Sequence, residues 1–168
     1  MSPSRRVHTV AEYGTLIALA MVLSYLESLI PAFFAVPGMK LGLTNTVVLF
    51  ALYTRGKGSA LIINLIRIML VSLLFSNGVS MYYSIAGGLL SFAVMIMMKR
   101  SFGIITVSVC GGIAHNIGQI LAAVILLQTA SIAWYLAVLW FTGLLSGALI
   151  GIIGGELVRR IAAYRNRS

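Results

Sequence analysis

The stretch Ile104 to Leu127, IITVSVCGGIAHNIGQILAAVILL, contains no Asp, Glu, Lys or Arg. As a helix rising about 1.5 Å per residue it is about 36 Å long, enough to cross a hydrocarbon core about 30 Å thick. An uncharged run of that length reads as a membrane span. The pattern repeats outward in both directions. Apolar runs at about Tyr13 to Ile30, Leu43 to Tyr53, Ser59 to Phe75, Met81 to Met98 and Trp134 to Val158 are separated by turns with glycine, proline or basic residues or, at Gln128 to Ser131, by a short polar stretch. The chain of 168 residues is 60% hydrophobic and 9% charged, against about a quarter charged in soluble domains. These features predict an all-α integral membrane protein, one domain over residues 1–168 with six transmembrane helices at 13–30, 43–53, 59–75, 81–98, 104–127 and 134–158. No length remains for a soluble catalytic domain, and a first run followed by further spans is not a cleaved signal peptide.

The net charge of +9 would suggest nucleic acid in a soluble protein, but here it is arranged as topology. Arg5, Arg6, Arg55, Lys57, Lys99, Arg100, Arg159, Arg160, Arg165 and Arg167 fall on one side of the six spans, Lys40 alone falls on the other, and Arg67 lies within a span. The positive-inside rule then places both termini in the cytoplasm. Tyr82, Tyr83, Trp134 and Tyr135 fall at the outer interface, where amphipathic rings are favoured.

The chemistry is bounded by what is missing. Glu12, Glu27 and Glu156 are the acidic inventory, and there is no Asp. An enzyme acting on diphosphates through Mg²⁺ needs carboxylates to hold the metal, so no catalytic residue is assigned. Cys110 has no partner for a disulfide and His115 none for a zinc site; no metal and no cofactor are expected. GKGS at Gly56 to Ser59 is only a fragment of the phosphate-loop pattern, so an ATP site is not expected either.

Small residues four apart let helices approach closely in lipid. Gly143, Gly147, Gly151 and Gly155 form such a row on the sixth span, for packing within the chain or against another subunit. Gly14 with Ala18, and Ala20 with Ser24, form shorter ones on the first span.

Ionisable and amide groups inside the spans carry the functional reading, because a charge at the bilayer centre costs about 2.5 to 3.5 kcal/mol on insertion scales. Arg67 lies about 12 Å from the basic turn by helical rise. Either it pairs with Glu27 and locks two helices, or it meets the carboxylate or phosphate of a ligand. His115 and Gln119 share a helix face, with Asn116 beside them; these are pocket walls or interhelical glue. Lys40, Thr44 and Asn45 flank the outer start of the second span. The whole set, Glu27, Lys40, Asn45, Arg67, His115, Asn116 and Gln119, predicts a substrate pocket in the outer half of the membrane, beneath the 31–42 loop.

LESLIP at Leu26 to Pro31, PGMKLGLTN at Pro37 to Asn45, AGGLLS at Ala86 to Ser91 and AHNIGQ at Ala114 to Gln119 resemble the Gx transporter family, also labelled heptaprenyl diphosphate synthase component I. That family is in turn similar to the S components of energy-coupling factor (ECF) transporters. The resemblance implies a six-helix uptake subunit of a prokaryotic plasma membrane that binds a small-molecule substrate and works with an ECF-type coupling subunit and two ATPases. It places docking on the first span, where an Ala-x-x-x-Ala pattern is replaced by Gly14 and Ala18 or Ala20 and Ser24. The family's second label implies instead a non-catalytic accessory protein of isoprenoid or quinone metabolism.

Overall fold

The computed structural model describes the backbone of residues 3–29, 42–75, 78–128, 134 and 136–165, and the side chains of 7–26, 42–74, 81–128, 134 and 136–164. Among the described residues there are six helices and no strand: α1 (Pro3–Leu29), α2 (Asn45–Thr54), α3 (Lys57–Phe75), α4 (Gly78–Met98), α5 (Ile104–Leu127) and α6 (Leu136–Arg165). Five are long and apolar enough to cross a membrane, and the chain is an all-α, multi-pass membrane protein.

Helix limits follow the backbone rather than hydropathy. α1 starts at Pro3, ten residues before the first apolar run, because a fixed φ and a missing N–H cost nothing in a first turn. α6 carries the basic tail as far as Arg165, with Glu156 bonded to Arg159 and Arg160 one turn on. α2 has only ten residues, about 15 Å or half a bilayer core. It ends where the N–H groups of Arg55 and Gly56 both bond to the Ala51 carbonyl and Gly56 turns left-handed at φ +90°, a glycine helix stop that feeds directly into α3.

The helices form a ring. α5 lies between α4 and α6, α4 meets α3, and α2 closes the circle by packing on both α3 and α6; α1 lies outside, against α3. The α5–α6 seam is backbone on backbone. A Cβ on Gly147 would lie 2.7 Å from Val109 Cα, on Gly151 2.8 Å from Ile105 Cα and on Gly143 3.1 Å from the Gly112 carbonyl oxygen, while Gly155 abuts Ile104. Gly118 meets Gly87 Cα at 2.8 Å in the same way across α4 and α5. The enclosed helix is α2, with Val47, Val48, Leu49, Ala51 and Leu52 fully buried. Leu73, Met97, Ile125, Phe141 and Leu145 point outward, the apolar surface that a bilayer covers.

α2 is held at both ends by cations from its neighbours. At its C-terminal end Lys99 Nζ donates to the Leu52 carbonyl at 2.7 Å and stands 4.9 Å from the Tyr53 ring centroid, a favourable place for positive charge. Lys99→Met is expected to cost about 1 to 2 kcal/mol, or roughly 2 to 8 °C in thermal unfolding for a chain of this size. An unshifted midpoint would contradict that role.

Candidate functional site

The ring encloses a cavity of about 60 Å³, entered at one edge by the N-terminus of α2. Arg67, only 7% exposed, reaches it from the middle of α3. Among the described residues its guanidinium donates to three side chains: Nη1 to Thr44 Oγ1 at 2.6 Å, and Nη2 to Asn64 Oδ1 at 2.8 Å and Asn45 Oδ1 at 3.2 Å. Thr44 precedes α2 yet makes no side-chain cap bond; its hydroxyl faces the guanidinium instead. Asn64, one turn before Arg67, is fixed by donating from Nδ2 to the Gly88 carbonyl at 3.2 Å. A Cβ on Gly88 would lie 3.5 Å from Asn64 Nδ2, an ordinary contact, and would displace only the tip of Ile68, 2.5 Å away.

The arrangement concentrates positive potential. The N-terminus of a helix carries about half a positive charge, and Arg67 is held against it inside the bundle. The first amides of α2 already bond to the carbonyls of Gly42, Leu43 and Thr44, so the helix offers field rather than free donors. An anion is the species this corner stabilises. Glu27 lies within α1, but its side chain is outside the described residues, as are Lys40 and the 31–42 loop up to residue 41; the pairing of Glu27 with Arg67 therefore falls outside them too.

The opposite wall is α5. His115, Asn116 and Gln119 all line the cavity. Gly87 of α4 makes room for two of them, since a Cβ there would fall 2.8 Å from Gln119 Cγ and 3.2 Å from His115 Cε1. Asn116 turns toward α6 and donates to the Leu139 carbonyl at 2.5 Å, so it joins two helices as well as lining the pocket. Serines complete the wall: Ser24, Ser72, Ser84, Ser91, Ser108 and Ser146.

Asn45, Arg67, His115, Asn116 and Gln119 thus come together. Asn64, buried to 2%, was not singled out in the sequence, although its place three residues before Arg67 put both on one face; the serines gave no signal, being common within spans. On α1 the two small-residue pairs diverge. Ala20 is fully buried and Ser24 lines the cavity, whereas Gly14 and Ala18 are exposed. Only the second pair is available on the outer surface. Gly143, Gly147, Gly151 and Gly155 face α5 rather than the outside.

Ligand pockets usually measure about 300 to 1,000 Å³, and a water needs about 10 to 15 Å³ of such space. In this conformation the cavity has room for a few waters or a very small anion. A larger solute requires the surrounding helices to part. Among the described residues no three His, Cys, Asp or Glu come together as metal ligands.

A protein-family model described as heptaprenyl diphosphate synthase component I matches residues 16–157. No curated protein and no solved structure matches the chain.

Proposed function

The chain belongs to the heptaprenyl diphosphate synthase component I family, and on that premise we propose that it is a membrane subunit that captures a small anionic solute around Arg67. The family is a non-catalytic membrane component associated with heptaprenyl diphosphate synthesis, and it implies another synthase component as partner. The finer reading is uptake. A solute enters from the outside, beneath the 31–42 loop, and a separate subunit supplies the energy. An ECF-type coupling subunit with two ATPases would meet the bundle at Gly14 and Ala18 of α1, and both termini would lie in the cytoplasm of a prokaryotic cell.

One observation carries this reading: the Arg67 fork converges with the N-terminus of a half-length helix on an enclosed polar cavity. Broken or half-length helices whose N-termini face a midplane site are a device by which membrane proteins bind anionic groups. A ligand bound at about 100 times its Kd stabilises the fold by about 2.7 kcal/mol, or roughly 5 to 11 °C here. Phosphate, diphosphate, and mono- and dicarboxylates are the panel. At least one is expected to raise the unfolding midpoint by several degrees, with the rise lost in His115→Ala and Gln119→Ala. A panel without effect would contradict capture of a small anion.

The family description favours a second reading, a membrane accessory of isoprenoid or quinone metabolism. On that reading a soluble synthase co-purifies with this chain and gains activity from it. The central cavity, polar-lined and about 60 Å³, favours a small solute over a prenyl chain.

A further inference from the structure

A serine or threonine inside a helix ordinarily turns its hydroxyl back to the carbonyl three or four residues before it. Thr15, Thr54, Ser59 and Thr142, outside the cavity lining, do so onto the carbonyls of Ala11, Phe50, Arg55 and Leu139. The serines of the cavity behave differently. Among the described residues no hydrogen bond engages the side chain of Ser24, Ser72, Ser84, Ser91, Ser108 or Ser146. Ser24, Ser72, Ser91 and Ser108 are only 4% to 6% exposed, yet their oxygens are not sealed in protein. They open on the cavity that these residues line. A buried hydroxyl without a partner is unfavourable, so these groups are complementary to an occupant that can bond to them.

Ser91 is tied to the Arg67 cluster. Asn64 accepts from Arg67 and donates to the Gly88 carbonyl, and Ser91 follows Gly88 by three residues on the same face of α4. Across from it, a Cβ on Gly111 would lie 3.3 Å from Ser91 Oγ, so this glycine leaves the hydroxyl open. Ser108 precedes Gly111 by three residues, on the same face of α5.

Three features then narrow the solute, given the reading of this cavity as a capture site for a small anion. Arg67 is the one Lys or Arg among the described lining residues, and no acidic side chain is among them, which matches a single carboxylate. Serine hydroxyls both donate and accept, which matches a hydroxyl on the solute; a carboxylate alone only accepts. At about 10 to 15 Å³ for each water, the cavity of about 60 Å³ holds about four to six water-sized groups, the size of a two- or three-carbon acid. Leu49, Ile68, Val71 and Ile150 supply apolar contact for so short a skeleton.

We propose that the solute is a short hydroxy monocarboxylate of the glycolate type, with its carboxylate on Arg67 and its hydroxyl bonded by Ser91 and Ser108.

The test compares glycolate with propionate, which has the same charge and number of non-hydrogen atoms but a methyl group in place of the hydroxyl, and with inorganic phosphate. Affinities are read from the rise of the unfolding midpoint of the full chain in detergent as each probe is titrated. Glycolate is expected to bind at least tenfold more tightly than propionate, because a site built to bond a hydroxyl rejects the analogue that lacks it. Ser91→Ala or Ser108→Ala is expected to bring that ratio below about threefold, with the ligand-free midpoint unchanged since alanine favours the helix. Thr15→Ala removes a hydroxyl that bonds within its own helix and should keep the full ratio. Propionate bound as tightly as glycolate would overturn hydroxyl recognition while leaving anion capture in place, and so would phosphate bound more tightly than both. A ratio unchanged in both serine variants would overturn the site. Binding of none of the three would overturn the hydroxy acid, and the wider anion panel then decides whether capture at Arg67 falls with it.

Discussion

Gly147→Leu is expected to destabilise the bundle strongly. A Cβ at this position would lie 2.7 Å from Val109 Cα and 2.9 Å from the Ser108 carbonyl oxygen, so the obstruction is main chain on main chain and no rotamer relieves it. Helices in lipid gain association from close packing rather than from hydrophobic exclusion, and separating α6 from α5 removes that gain along the whole seam. Overpacking within a core typically costs about 1 to 3 kcal/mol; with a rigid backbone on both sides we expect about 3 kcal/mol or more, a fall of roughly 6 to 12 °C. Gly14→Leu is the matched control, since a Cβ there meets nothing within 4 Å. Equal midpoints for the two variants, measured by thermal unfolding in detergent, would contradict the packing account.

Arg67→Gln is expected to weaken capture by one to two orders of magnitude while leaving a folded protein. Among the described residues the substitution removes the hydrogen bonds to Thr44, Asn45 and Asn64, but it also removes a charge whose insertion costs about 2.5 to 3.5 kcal/mol. These effects oppose one another, and the net loss of stability is expected to be about 1 to 2 kcal/mol. Nothing offsets the loss at the ligand. A charge-assisted hydrogen bond contributes about 1.5 to 3 kcal/mol, so affinity should fall about 10- to 150-fold. Arg67→Lys keeps the charge without the planar fork and should retain part of the binding. Unchanged affinity in Arg67→Gln would assign the arginine to helix packing.

The sequence was most informative where one physical signal dominated. α5 begins and ends where its apolar run does, between Gly103 and Gln128, which turns left-handed at φ 48°. α1 and α6 run beyond their apolar runs because polar residues propagate a helix as well as apolar ones do, and hydropathy reports the membrane rather than the backbone. The pocket was legible in residues foreign to lipid: Arg67 and the His115, Asn116, Gln119 group. Asn64 and the serines were not, since a single amide or hydroxyl in a span has several uses. Spacing by four identified the small-residue stripes of α1, but only the fold tells which face is outward, and it turns Ala20 and Ser24 inward.

The central claim is that the enclosed cavity holds a small anion on Arg67. The most direct test is native mass spectrometry of gently purified protein, parent and Arg67→Gln side by side, with released molecules identified by exact mass. The account predicts a small carboxylate or phosphate bound one to one in the parent and absent from the variant. Parent protein without a bound small anion, or the same anion retained equally by Arg67→Gln, would contradict it.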